Sequence, residues 1–142
     1  MIGIVLSALL ATEDAASQPT AQLTVSVVGF RHNTGHLLVA LSDKQASFLS
    51  KTELPLGNQR VIIINRAASV TFIGIAAGDY AVSVTHDEND NLKVDTNFIG
   101  MPKEGVGVSN EAKGFMGPPK FKDAKFHYDG GKASITITLV YL

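Results

Sequence analysis

The sequence predicts an all-β fold, an antiparallel β-sandwich of about seven strands, immunoglobulin-like or transthyretin-like, with one long ordered loop. Three observations lead to this prediction. Short runs of β-branched and apolar residues recur along the chain with a period of two, which is typical of strands with one buried face. Turn residues separate these runs. No long segment has the periodicity of an amphipathic helix.

The predicted strands share this alternation or a compact apolar run between turn signals. They cover residues 23–28, 37–41, 60–65, 69–75, 80–85, 125–128 and 133–141. The turn-forming segment Arg31 to Gly35 joins the first two strands, and Asp129-Gly130-Gly131 joins the last two. Both segments predict hairpins. A small closed barrel is the competing architecture.

Composition limits the range of functions. The 142 residues, of which 45% are hydrophobic, are enough for one domain with a single core. Because the chain has no cysteine, disulfides, thiolate nucleophiles and cysteine-containing zinc sites are excluded, so any metal must be bound by oxygen or histidine. A formal net charge of -1 gives no electrostatic basis for binding nucleic acid.

The first residues are typical of a secretion signal. Ile2 to Ala11 is apolar and uncharged, and Ala15-Ala16-Ser17 provides small residues for cleavage before Gln18. The apolar run is shorter than the roughly twenty residues of a membrane-spanning helix. We therefore expect a signal peptide over residues 1–17 and a single β-sandwich domain over residues 18–142, periplasmic or secreted, with no membrane span. The alternative is an apolar first strand or helix of the mature fold.

One connection is unusually long. No clear strand pattern lies between Thr85 and Phe121, about thirty-five residues, whereas most connections have only a few. The segment is rich in glycine and proline but also carries apolar residues such as Phe98, Ile99 and Met101. We expect this loop to fold against the sandwich and to form a contact surface for a partner, an envelope protein or glycan.

The start of this loop contains a candidate calcium site. Oxygen ligands recur there at alternate positions: Asp87, Asn89, Asn91, the backbone carbonyl of Lys93, and Asp95. A tightly turning loop can offer calcium its six to eight oxygens in this register.

Two positions depart from the calcium-loop pattern. Leu92 stands where a sharp turn favours glycine, and Phe98 stands where a bidentate glutamate belongs. The alternative for the same residues is an Asx turn, in which Asp and Asn side chains accept hydrogen bonds from the backbone of their own loop.

The histidines at positions 32, 36, 86 and 127 show no metal-ligand spacing. His86 continues the inward face of the predicted 80–85 strand, which indicates a strand-end histidine held by hydrogen bonds. We expect a non-catalytic module. The alternative is a small hydrolase in which the 86–120 loop gathers His86, Asp87 and Ser109.

From Gly78 to Phe126 the sequence resembles an exported bacterial family known as domain of unknown function 2141. The landmarks of the resemblance stand in order: Gly78-x-Tyr80, His86-Asp87, Asp95, Asn97 to Gly100, Pro102 to Gly105, Ser109-Asn110, Gly117 to Pro119, and Phe121 to Phe126. Leu92 replaces the usual glycine of the Asn-rich turn. The resemblance implies a periplasmic or secreted β-sandwich and brings no known activity.

A looser similarity links the strand from Gly78 to Val82 to transthyretin-like and carboxypeptidase-regulatory-like sandwiches. Hydrolases of the transthyretin-like group end in Tyr-Arg-Gly-Ser, whereas this chain ends Leu-Val-Tyr-Leu. The similarity therefore concerns the fold alone.

Overall fold

The computed structural model describes residues 20–50, 52–92, 104–113 and 117–141. The strands are β1 (Gln22–Val28), β2 (His36–Ser42), β3 (Gly57–Ile62), β4 (Ala67–Ile73), β5 (Gly78–Asp87), β6 (Val106–Val108), β7 (Phe126–Tyr128) and β8 (Lys132–Thr138). A 3-10 turn covers Ser109–Glu111 and a four-residue helix covers Phe121–Ala124. Within these residues, no helix is long and apolar enough to cross a membrane.

The strands form two sheets, and the predicted all-β sandwich is confirmed. The smaller sheet has the order β4-β1-β8, and the larger has the order β3-β2-β5-β6, with β7 paired to the beginning of β5. Every pair is antiparallel except β1 with β8, which run parallel.

The core lies between the inward faces of the sheets. The alternation of β1 buries Leu23, Val25 and Val27 completely, while Thr24 on its other face pairs with Thr71 of β4 at 2.9 Å. Val82 of β5 joins the same apolar cluster from the larger sheet. The period-two pattern thus places one face of each strand in the core.

Both predicted hairpins are wrong. β1 pairs with β4 and β8, whereas β2 pairs with β3 and β5, so the 31–35 turn carries the chain from one sheet to the other. β7 and β8 likewise lie in different sheets. A turn signal fixes a reversal of the chain but not the partner of each strand. Here the two strands that each turn joins lie in opposite sheets. Each strand has one apolar face, and the two apolar faces pack against each other across the core.

The long loop contains a strand that the pattern did not predict. β6 is only three residues long and pairs with Ser83–Thr85 of β5. Gly107 at its centre leaves room for the smaller sheet, because a Cβ there would lie 2.7 Å from Cγ2 of Ile137. The expectation of a loop without strands is therefore corrected at this point.

Candidate functional site

Polar and ionisable side chains gather at one end of the sandwich, where three distant parts of the chain meet. They come from the β1–β2 connection, the end of β5 and the segment after β8. We call this group the end cluster: Arg31, His32, Thr34, His86, Glu88 and Tyr141.

Gly35 allows the β1–β2 connection to approach β5 this closely. Its φ of +76° is in the left-handed region, and a Cβ at this position would lie only 2.1 Å from the carbonyl oxygen of Asp87. Any side chain here would push the connection away from the end of β5. The geometry of the end cluster therefore depends on this glycine.

Tyr141 reaches the cluster because the chain after β8 pairs with β6. Val106 and Val140 exchange two backbone hydrogen bonds, of 3.0 and 2.8 Å. The next side chain, Tyr141, then lies directly over Gly105, where a Cβ would be 2.6 Å from the aromatic ring.

His86 is the buried centre of the cluster, with no exposed surface. Its Nε2 lies 2.7 Å from the backbone carbonyl oxygen of Thr34, and its Nδ1 lies 2.7 Å from the Tyr141 hydroxyl. Since a carbonyl oxygen only accepts hydrogen bonds, the ring proton is on Nε2, and Nδ1 accepts from Tyr141. These bonds agree with the predicted strand-end histidine. Burial raises the pKa of Tyr141.

Glu88 is the charged centre of the cluster. The Arg31 guanidinium binds both of its carboxylate oxygens, and His32 Nε2 contacts Oε2. Partial burial by itself raises the pKa of Glu88, but the hydrogen bond and charge of Arg31 outweigh burial and hold this pKa below its usual value. The backbone N–H of Glu88 donates to Oε2 of Glu104 at 2.7 Å.

The described part of the candidate calcium loop forms a turn around Asp87. The Asp87 carboxylate is fully buried and accepts backbone hydrogen bonds from Asn91 at 3.2 Å and from Leu92 at 2.7 Å. Asn89 Oδ1 accepts from the Asn91 N–H at 3.4 Å. These contacts are those of the Asx alternative. Lys93 and Asp95 lie outside the described residues, so the five-ligand calcium site stays a prediction.

The tip of this turn is attached to the larger sheet. Asp90 Oδ1 lies 2.7 Å from His36 Nδ1 and 3.2 Å from Arg60 Nη2. The hydrogen bond from His36 and then the charge of Arg60 lower the pKa of Asp90. The turn that follows β5 is therefore held both from within, by Asp87, and from the neighbouring strands.

The structure does not bring His86, Asp87 and Ser109 together as the hydrolase alternative requires. The Ser109 hydroxyl accepts from the Val82 N–H at 3.0 Å and donates to the Ala124 carbonyl at 2.6 Å. Val82 precedes His86 by four residues along an extended strand, about 13 Å at the usual rise. Neighbouring residues of a strand point to opposite faces, so His86 and Asp87 also diverge.

Sequence spacing did not reveal the proximity of His32 and His86, whose ring centroids are 5.0 Å apart. Together with Glu88 they offer one ligand atom each, all within 4.8 Å of one another. Within the described part of the chain, no other group of three His, Asp or Glu side chains meets this criterion. The residues converge because the chain crosses between sheets, and no local motif indicates this.

Comparison with known proteins identifies a family. No curated protein and no solved structure matches the chain significantly. A family model, described as "Uncharacterized protein conserved in bacteria (DUF2141)", matches residues 25–136. The matched range covers most of the chain and includes His32, His86 and Glu88, while Tyr141 lies beyond it. The resemblance found in the sequence is thereby confirmed, and the chain belongs to the DUF2141 family of bacterial proteins.

Proposed function

We propose that this protein is an exported cell-envelope module that binds a partner, an envelope protein or glycan, without catalysing a reaction. One observation carries the non-catalytic part of the proposal. The histidine and the serine of the hydrolase alternative are engaged in bonds that hold the fold. His86 uses both ring nitrogens, and the Ser109 hydroxyl both donates and accepts. A nucleophile needs a base within hydrogen-bond reach, and the residues that the structure describes offer Ser109 none.

The export part of the proposal comes from residues 1–17. The test is expression of the full chain with a C-terminal tag in a Gram-negative host, followed by fractionation and mass measurement. We expect a periplasmic product that begins at Gln18, and cytoplasmic retention of a variant that starts with Met before Gln18. A full-length product retained in the cytoplasm would refute export.

The binding part needs a variant that keeps the fold. β6 and Ser109 lie within residues 101–117, so deletion of that segment would remove fold contacts. We instead propose the triple substitution Phe98→Ser, Ile99→Ser and Met101→Ser, which removes apolar side chains of the loop. Recovery of an envelope protein or glycan on the immobilised domain should fall with this variant. Unchanged recovery, with an unchanged melting temperature, would show that the loop is not the contact surface.

We further propose that calcium binds the segment from Asp87 to Asp95 and stabilises it. Leu92 supports this proposal, because it adopts a φ of +64°, the left-handed conformation that the sixth position of a calcium loop requires. Thermal unfolding in EDTA, calcium and magnesium is the test, with an Asp87→Ala, Asp95→Ala double variant alongside. Calcium at one hundred times its Kd adds about 2.7 kcal/mol to the stability of the folded state. The absence of any shift in the wild type would refute calcium binding.

A further inference from the structure

A second group of donors, distinct from the calcium-type oxygens, lies in the end cluster. His32, His86 and Glu88 offer two imidazoles and one carboxylate with ligand atoms within 4.8 Å of one another. Zinc accepts this combination, with bonds of about 2.0 to 2.2 Å, so its tetrahedral ligand atoms lie about 3.3 Å apart. The widest-spaced donors would have to approach one another by at most about 1.5 Å, whereas His32 Nε2 and Glu88 Oε2, which are now in direct contact, would have to separate to admit the ion. Both movements are within the reach of side-chain rotation.

Thr34 orients both imidazoles. Its backbone carbonyl accepts from Nε2 of His86 at 2.7 Å, and its hydroxyl lies 2.6 Å from Nδ1 of His32. Each ring is thus held through one nitrogen, and the other nitrogen faces the cluster: Nδ1 of His86 faces the Tyr141 hydroxyl and Nε2 of His32 faces Glu88. His86 is held as metal-binding histidines are, because a bond to the remote N–H fixes the tautomer and the ring orientation. In His32 the Nε2 proton now faces the Glu88 carboxylate, so metal binding would place the proton on Nδ1 instead, where it would donate to the Thr34 hydroxyl.

Arg31 has the corresponding role for the carboxylate. Its guanidinium binds Oε1 of Glu88 through Nη2, while its Nε lies 3.2 Å from Oε2. A metal ion on Oε2 would replace the Nε contact and leave the Nη2 bond to Oε1 intact. Carboxylates that bind metals commonly keep a hydrogen bond of this kind.

The cluster is also open to solvent on one side. The His32 side chain is 40% exposed, that of Glu88 is 16% exposed, and His86 is fully buried. A metal ion could enter past His32 and keep water in its fourth position, as it does in sites with three protein ligands. The buried end is closed by the rings of Phe30 and Tyr141, whose centroids lie 5.1 and 6.0 Å from that of His86.

From these contacts we propose that His32 Nε2, His86 Nδ1 and Glu88 Oε2 bind one divalent metal ion of the zinc class. Binding moves the Tyr141 hydroxyl off Nδ1, where it now donates. This inference goes beyond the envelope-module function and does not depend on calcium, because it uses none of the five calcium candidates and requires imidazole ligands. A chain without cysteine has only such oxygen and histidine donors for zinc.

The test is isothermal titration of the purified protein with zinc chloride, and with cobalt(II) as a spectroscopic probe of coordination. We expect one equivalent of zinc to bind and cobalt(II) to show the absorption of tetrahedral coordination. Magnesium should displace neither zinc nor cobalt(II) from the site. His32→Ala should weaken zinc binding by more than about 100-fold, because it removes a direct ligand. His32 is partly exposed, so this variant should fold, and its circular dichroism spectrum checks that it does.

Two further variants make the result specific. His127→Ala is the matched control, since His127 is also an exposed histidine beside a carboxylate, at 3.0 Å from Asp79, but lies outside the cluster. It should bind zinc as the wild type does. Thr34→Val keeps the carbonyl and removes the hydroxyl that orients His32, and should weaken binding about 10- to 100-fold. Failure of the wild type to bind one equivalent, or equal losses in His32→Ala and His127→Ala, would overturn the proposal. The calcium and fractionation experiments are unaffected by either result.

Discussion

Substitution of Gly35 by alanine is the most direct test of how the β1–β2 connection meets β5. Alanine would have to adopt a φ of +76°, which costs an L-residue about 1 to 2 kcal/mol. Its Cβ would also lie 2.1 Å from the Asp87 carbonyl oxygen and 2.8 Å from Cα of Glu88. Both atoms belong to the backbone, so neither can move aside as the end of a flexible side chain could.

Gly74 provides a matched control for this substitution. It has the same φ of +76°, but a Cβ at Gly74 meets no atom within 4 Å. Gly74→Ala should therefore lose only the backbone cost, about 1 to 2 kcal/mol. Gly35→Ala should lose about 3 to 4 kcal/mol, because the connection must also shift by more than an ångström away from β5.

Urea unfolding followed by circular dichroism measures both losses. A change of 1 kcal/mol moves the melting temperature of a domain of this size by about 3 to 6 °C, so thermal scans should agree with the urea result. If Gly35→Ala were no less stable than Gly74→Ala, the β1–β2 connection would not be in close contact with the end of β5. The contact of Thr34 with His86, and the proposed metal site that depends on it, would then lose their structural basis.

Three further changes should alter stability in defined directions. Leu92→Gly should stabilise the domain by about 0.5 to 1 kcal/mol, because glycine relieves the left-handed backbone, and Leu92→Ala should not; equal urea midpoints for both variants would contradict this. Ser109→Ala should cost about 1 to 3 kcal/mol, because it leaves a backbone N–H of β5 unpaired; a neutral effect would argue against that bond. The lowered pKa of Glu88 stabilises the fold above its unfolded-state value near 4.5, and this stability is lost as the pH falls through the folded-state value. Glu88→Gln should therefore flatten the loss of stability as the pH falls below about 4.5, and an unchanged pH profile would show that the Arg31 ion pair contributes nothing.

The period-two alternation and the turn signals predict the fold class and the approximate positions of the longer strands. Alternation along β1 and β5 specifies which face of each strand is buried, since successive side chains of a strand point to opposite sides. It also placed His86 on the inward face of β5. Burial and hydrogen bonding of that side chain followed from its position. β6 escaped prediction because three residues are too few to establish a period.

The strand partners and the composition of the end cluster could not be predicted from local patterns. Strand pairing depends on contacts between distant segments, and a local turn signal such as that before Gly35 is compatible with either a hairpin or a crossing between sheets. The crossing brings His32 to His86 although 54 positions separate them, and pairing of Val140 with β6 adds Tyr141. No local sequence pattern indicates either contact, because each results from the packing of the two sheets.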